Sequence, residues 1–381
     1  MANTLNIYDP IFYAQEALIH LEKALGMGMR VHRGYDRERK AFGKGSVIEI
    51  NNPSTFTVAN APATAQDLSP GNVTITLDQW KEVKFKLNDK ELAFSTEQII
   101  QDHIRPAAYA LADNIDTALC ALYKDVPWFY DISGTPVVAD IIEPRRVMFD
   151  NAVPVQDIER MHYMIDGSFE AGLLGLSAFS QQQGAGDAGV STQLRGSLGT
   201  KYGMEIFANQ NVQSHTKGTL DTTALLTNGT PAKGATTMNV DAASVTGTLV
   251  DGDSFVIAGN TQRYAVNGGP HTAAGNAIAG LTFTPGLAAA PGDGAAVTVS
   301  LDDHTANTAF HKNAFALAMA PLSELGGELG ARIATITDPV SSLALRSRLY
   351  YVGDSSEVHV ALDVLYGVKT LDPNLACRGR G

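Results

Sequence analysis

Cysteine is nearly absent, at 2 in 381 residues. Cys120 and Cys377 cannot build a disulfide framework, and neither belongs to a CxxC pair, so reducing conditions are expected. Long hydrophobic runs are missing too. No apolar stretch approaches the roughly 20 residues that cross a bilayer, and the longest weakly polar one, 277–299, is broken by Pro285, Pro291 and Asp293. The first ten residues hold neither a basic nor an apolar segment, so no secretory signal is expected. Positive charge is in deficit, with a formal net charge of −12, which argues against a nucleic-acid reader. Charged residues of either sign reach only 18%, below the roughly 25% of typical soluble chains. Such scarcity fits a surface covered by other copies, because interface cores are depleted in charge. The 44% apolar content still leaves ample core material, and the length suits two or three domains.

The chemistry-bearing motifs are equally sparse. Metal ligation wants His, Cys, Asp or Glu at helix or turn spacing, and the nine histidines form no HxH, HxxH or HExxH. Asp302-Asp303-His304 is the nearest cluster and reads as acidic turn residues closing a module. No GxxxxGK[ST] loop occurs to cradle a phosphate. Gly252-Asp253-Ser254 imitates an esterase block, but a serine needs a general base, and no histidine has an Asp three residues before it. A turn between Val250 and Phe255 explains the same string. Phe85 between Lys84 and Lys86 is the one aromatic set among basic residues, and it alternates as a half-buried strand would. Cys120, between Leu119 and Leu122, reads as a core thiol; Cys377, beside Arg378 and Arg380, reads as an exposed tail residue. No catalytic, cofactor or metal site is expected, and a structural or binding protein is favoured over an enzyme.

What is present is architectural. Ile11, Phe12, Ala14, Leu18, Leu21 and Leu25 recur at helical spacing, predicting an amphipathic helix over 11–25. A basic arm follows: Lys23, Arg30, Arg33, Arg37, Arg39, Lys40 and Lys44, against Glu22, Asp36 and Glu38. It reads either as a solvated arm or as one touching an acidic partner. Residues 46–94 are rich in β-branched residues and turn chemistry, predicting an extended β loop projecting from the body, with Lys81–Leu87 a strand with one wet face. Ser95 and Gln98 form a capping box before Ile100, Ile104, Ala108, Leu111, Ile115, Leu119 and Leu122. That spacing predicts a helix of roughly 28 residues, about 40 Å long, kinked at Pro106.

Further on, a helix over 138–151 interrupted or delayed by Pro144, a strand at 160–165, a short helix over 167–176 and a strand at 204–208 are expected. Residues 180–200 read as a loop. From 221 to 305 the chain turns to Gly, Ala, Thr and Val, with short strands and regular turns, which argues a small β-barrel or sandwich. Helical periodicity then resumes over Asn307–Leu322, and strands close the chain over 341–376.

Four strings carry a family resemblance: Arg160-Met-His-Tyr-Met-Ile-Asp-Gly-Ser-Phe-Glu-Ala-Gly-Leu-Leu, Gly196-Ser-Leu-Gly-Thr-Lys-Tyr-Gly-Met-Glu-Ile-Phe-Ala-Asn-Gln, Ala309-Phe-His-Lys-Asn-Ala-Phe-Ala-Leu-Ala-Met-Ala-Pro-Leu, and Leu362-Asp-Val-Leu-Tyr-Gly-Val-Lys-Thr-Leu-Asp-Pro. In this order they resemble the major capsid (coat) proteins of tailed bacteriophages. The similarity is greatest to the coat proteins of short-tailed Salmonella phages, which carry an insertion domain. The resemblance implies an α+β Hong Kong 97-type fold: an N-terminal arm (1–45), an extended loop (46–94), spine helix with peripheral and axial domains (95–220), an inserted β-barrel-like domain (221–305) and the closing axial and peripheral part (306–381). It reads the fourth string as a strand pair turned by its glycine. It also implies a virion protein, assembled in the host cytoplasm and outside any membrane, that forms pentamers and hexamers of itself in an icosahedral shell. The partners implied are a separate scaffolding protein, a portal protein, packaged double-stranded DNA met nonspecifically by the basic arm, and room for a decoration protein. Asp251, Asp253, Asp302 and Asp303 are expected to pair with basic residues of an adjacent subunit. An encapsulin-like compartment shell, a β-rich adhesin and an esterase stand as alternatives.

Overall fold

The computed structural model describes residues 10–33, 47–52, 58, 60, 61, 65, 71–88, 103–132, 134–181, 192–322, 331–338, 343–354 and 357–381. In chain order these give α1 (Pro10–Ala24), β1 (Val47–Asn52), β2 (Gly71–Thr76), β3 (Gln79–Asn88), α2 (Arg105–Cys120), β4 (Phe129–Asp131), α3 (Ala139–Asp150), β5 (Met161–Ile165), α4 (Gly167–Leu174), α5 (Ser177–Ser180), β6 (Gly199–Lys201), β7 (Met204–Ala208) and β8 (Ser214–His215). A run of short strands follows: β9 (Ala224–Asn228), β10 (Thr237–Asp241), β11 (Thr248–Leu249), β12 (Ser254–Ile257), β13 (Arg263–Val266), β14 (His271–Thr272), β15 (Ala277–Thr284) and β16 (Ala296–Ser300). Long strands end the chain: β17 (His304–His311), β18 (Phe315–Ala320), β19 (Arg332–Thr337), β20 (Ala344–Val352), β21 (Glu357–Thr370) and β22 (Ala376–Arg380). Two compact units result, Met1–Leu119 with Ala316–Leu371, and Cys120–Phe315 with Asp372–Gly381. These divisions fall inside the expected segments 95–220 and 306–381.

The first unit is a five-stranded sheet of β18, β21, β20 and β19, with β3 on β21. α1 appears where the apolar spacing places it, burying Tyr13, Ala14, Ala17, Leu18 and Leu21 and packing on β19 and β20. The turn after it is tied to α2. Gly26, Met27 and Gly28 donate their backbone N–H groups to the buried Asp116 carboxylate at 2.5, 3.3 and 2.9 Å. α2 buries Ala108, Leu111, Ile115 and Leu119 as expected. Pro106 is the second residue of α2 and follows a π-helical turn at His103 and Ile104. Segment 95–102, with its capping box, lies outside the described residues.

The 46–94 region divides in two. β1 and β2 pair antiparallel and put Ile48, Ile50 and Ile75 into a core with Ala316, Ala318 and Ala320. β3 instead joins the main sheet, pairing with β21 along ten residues from Glu357↔Asn88 to Tyr366↔Gln79. β21 is one continuous strand, so Gly367 does not turn the chain. The glycine is needed for space, because a Cβ there would stand 2.2 Å from the Thr76 carbonyl oxygen.

The second unit joins a seven-stranded sheet to a closed barrel. The sheet runs β4-β22-β17-β5-β7-β6, with β8 on β17. α3 passes through Pro144 without interruption, contrary to expectation. Proline leaves the carbonyl four residues back without its helical donor, and here the Tyr163 hydroxyl donates to that Asp140 carbonyl at 3.5 Å. α4 starts at Asp166, whose carboxylate accepts from the Ser168 and Phe169 N–H groups, a side-chain N-cap.

The barrel closes as β10-β15-β13-β12-β16-β9, antiparallel throughout. Its strands alternate, sending Leu225, Val240, Ile257, Val297 and Val299 inward. Phe255, Tyr264 and Phe283 form a central ring cluster with centroids 5.3–5.4 Å apart.

The helix expected over Asn307–Leu322 does not form. That stretch is β17, a 3₁₀ turn (Lys312–Ala314) and β18. Alanine gives it strong helix propensity, but each strand is buried on both faces. Such burial erases the alternation that marks a strand.

The candidate site at the junction of barrel and sheet

Residues far apart in sequence meet where β22 faces the barrel. β22 reads Ala-Cys-Arg-Gly-Arg, and strand alternation sends Arg378 and Arg380 to one face and Cys377 and Gly379 to the other. Gly379 is needed there, since a Cβ would stand 2.5 Å from the Tyr163 hydroxyl. Cys377 is fully buried within the sheet, not an exposed tail residue, and burial pushes its thiol up to about 12. The tail expectation fails because Arg378 and Arg380 lie inward too.

Arg378 is wholly buried and donates from Nη1 to the Gly252 carbonyl at 2.8 Å. Loss of water pulls its guanidinium down to about 10, and Arg380 adds repulsion. Arg380 lies over the Phe129 ring at 3.4 Å, pairs with Asp131 at 2.5 Å, and donates to the Ser300 hydroxyl at 3.1 Å.

On the barrel side, Gly252 has φ +98°, a left-handed conformation that glycine adopts without strain. The turn it makes aims Asp253 inward. That carboxylate is 1% exposed and accepts from Val250 N–H at 2.8 Å and Gly218 N–H at 3.1 Å. His215 lies between Asp253 Oδ1, 3.2 Å from its Nε2, and the Tyr123 hydroxyl, 3.2 Å from its Nδ1. His304 packs against it with ring centroids 4.9 Å apart. Burial drives the His304 pKa down to about 3.

The esterase-like string is thereby accounted for. Both nitrogens of His215 are engaged, so it offers Ser254 no base, and the Ser254 hydroxyl makes no hydrogen bond. Among the described residues no group of three His, Cys, Asp or Glu is placed to hold a metal ion. The junction can lock two sheets together through charge.

The four residues of the expected acidic set differ in burial. Asp253 is buried within the chain, so its carboxylate is not on the surface where it was expected, because its turn aims it inward. Asp251 accepts from Gly269 N–H at 2.6 Å, and the exposed Asp303 accepts from Lys217 N–H at 2.8 Å. Asp302 is exposed. Of the basic arm, Arg30 donates to the Gly26 carbonyl at 2.9 Å, and Arg33 reaches Met29 Sδ at 3.2 Å, its pKa lowered by burial. Lys23 is on α1. Arg37, Arg39, Lys40 and Lys44 lie outside the described residues. Sequence reading missed Tyr123, His215 and the two arginines as partners of Gly252-Asp253. The only local signal was the alternating Cys-Arg-Gly-Arg, which has a strand's period.

No family model matches the chain, and no curated protein matches it. Solved structures do. A cyanophage P-SCSP1u capsid structure is similar at 11% identity and TM-score 0.47, over 89% of this chain and 84% of that one. A virus-like particle from Pyrococcus furiosus is similar at 8% identity and TM-score 0.42, over 97% and 98%. A chain of Mycobacterium phage Che8 is similar at 16% identity and TM-score 0.50, over 93% of this chain and 90% of that one. Among the described residues no helix is long and apolar enough to cross a membrane. This protein, α-helical and β-stranded across both its units, therefore shares its fold with a phage protein.

Proposed function

We propose that the chain is the major capsid protein of a tailed bacteriophage, assembling as pentamers and hexamers into the icosahedral shell around the genome. The observation that carries this reading is the fold likeness to the Mycobacterium phage Che8 chain, which covers nearly all of both chains. The four family-like strings support it. They fall on β5 with α4, on the β6–β7 hairpin, on β17 with β18, and on β21, which are framework elements of the two units. The closed barrel supports the comparison with insertion-bearing coat proteins, since it stands between β8 and β17, two neighbours in one sheet. Exposed apolar side chains suit a surface that copies would cover: Phe149 is 64% and Leu194 80% exposed. One such surface used many times makes modest contacts sum to a stable shell.

In this reading the scaffold and portal are separate proteins, the packaged DNA is met through the basic arm, and Asp251, Asp302 and Asp303 are the acidic groups left to face a neighbour. The test is negative-stain microscopy of the full chain expressed with and without its scaffolding protein. Closed shells of uniform diameter are expected. A species that stays monomeric in both preparations overturns the reading, and shells purified with an enzyme cargo in place of DNA favour a compartment.

A further inference from the structure

The outer face of the barrel, where it meets β4, holds a half-enclosed cleft. On β12, Phe255 and Ile257 belong to the barrel core, so Ser254 and Val256 point outward. Ser254 pairs with Ser300 and Val256 with Thr298 across β16, and Val256 pairs with Arg263 across β13, which sets all five on one face. Phe129 walls the side. The cleft encloses about 190 Å³, room for several water-sized groups.

Among the described residues, two of its polar side chains have no hydrogen-bond or ion-pair partner. Ser254 is 2% exposed, and among the described residues its hydroxyl has no hydrogen-bond partner. Arg263 stacks over Phe129 at 4.1 Å, and among the described residues no carboxylate is in ion-pair contact with it. The nearby Asp131 is taken by Arg380. Burial weakens Arg263's hold on its proton, Arg380 adds repulsion, and the more distant Asp131 offsets part of this. An unsatisfied buried hydroxyl is costly, and so is a half-buried cation with no carboxylate in contact; here they border the same small space. A negatively charged oxygen would relieve both.

We propose that this cleft binds a small oxyanion, a phosphate or carboxylate group, with the Arg263 guanidinium and the Ser254 hydroxyl as its donors. The inference does not depend on the shell reading. It is tested by thermal unfolding of the full chain at fixed ionic strength in chloride, inorganic phosphate and acetate. A saturable rise in melting temperature is expected in phosphate, acetate or both, relative to chloride. A response to phosphate alone identifies a phosphoryl source; a response to acetate alone identifies a carboxylate from a protein chain; a response to both establishes the shared chemistry. Arg263→Gln is expected to weaken binding roughly tenfold. Ser254→Ala is expected to melt at or above the wild type in chloride, because it removes an unsatisfied hydroxyl, and to lose most of the anion response. This second variant carries the test if Arg263→Gln fails to fold. No anion-dependent rise in the wild type, or an equal rise in the variants, overturns the proposal; the latter is the general salting effect of phosphate.

Discussion

The barrel and the seven-stranded sheet bury their strands differently. Three barrel strands have one dry face: in β9 Leu225 is buried and Leu226 exposed, and β10 and β16 alternate likewise. The central sheet strands are dry on both faces: every residue of β5 and β22 is buried, and β17 nearly so. One-sided burial leaves polar groups in water. Two-sided burial forces polar groups such as Asn307, which accepts from Asp166 N–H, to find protein partners. β9, β10 and β16 should therefore tolerate changes at every second position, and β5, β17 and β22 at almost none.

The largest expected effect is at the junction that joins them. Asp253→Ala removes the acceptor of two backbone N–H groups and of His215, and should cost about 3–5 kcal/mol in urea unfolding. Consecutive substitutions test the contrast directly. Met164→Ala and Ile165→Ala should each cost about 2–5 kcal/mol, and so should Leu225→Ala, whereas Leu226→Ala should stay within about 0.5 kcal/mol. Equal costs at Leu225 and Leu226 would break the comparison. Gly379→Ala should cost about 1–3 kcal/mol through overpacking against the Tyr163 hydroxyl, readable as a lowered melting temperature.

A smaller effect is expected from pH. His304 binds its proton near pH 3 when folded and near 6.5 when unfolded. The unfolded chain therefore takes up the proton first as pH falls. Stability is complete above pH 6.5 and declines toward pH 3. Allowing for solvent screening, the loss is on the order of 1 kcal/mol at pH 5. His304→Gln should flatten that part of the stability curve; an unchanged acid slope would remove the histidine from the account.

Legibility followed the same divide. α1 and α4 appear where helices were expected, over 11–25 and 167–176, and short strands fill the segment 221–305. The Asn307–Leu322 stretch did not match its expectation, because Ala-Phe-Ala-Leu-Ala-Met-Ala has no wet face to mark its period. The junction was illegible for another reason. Arg378 and Gly252 are 126 positions apart and the two histidines nearly 90, so no local window contains the contacts.

The sequence alone determined the local periods, turns and caps, because these depend on neighbours a few positions away and on which residues must meet water. Only the tertiary structure decided that Arg378 is interior, that Asp253 turns inward to His215, and that an alanine-rich run pairs as strand. Those outcomes depend on desolvation and on partners supplied by distant segments, and neither is written in the order of adjacent residues.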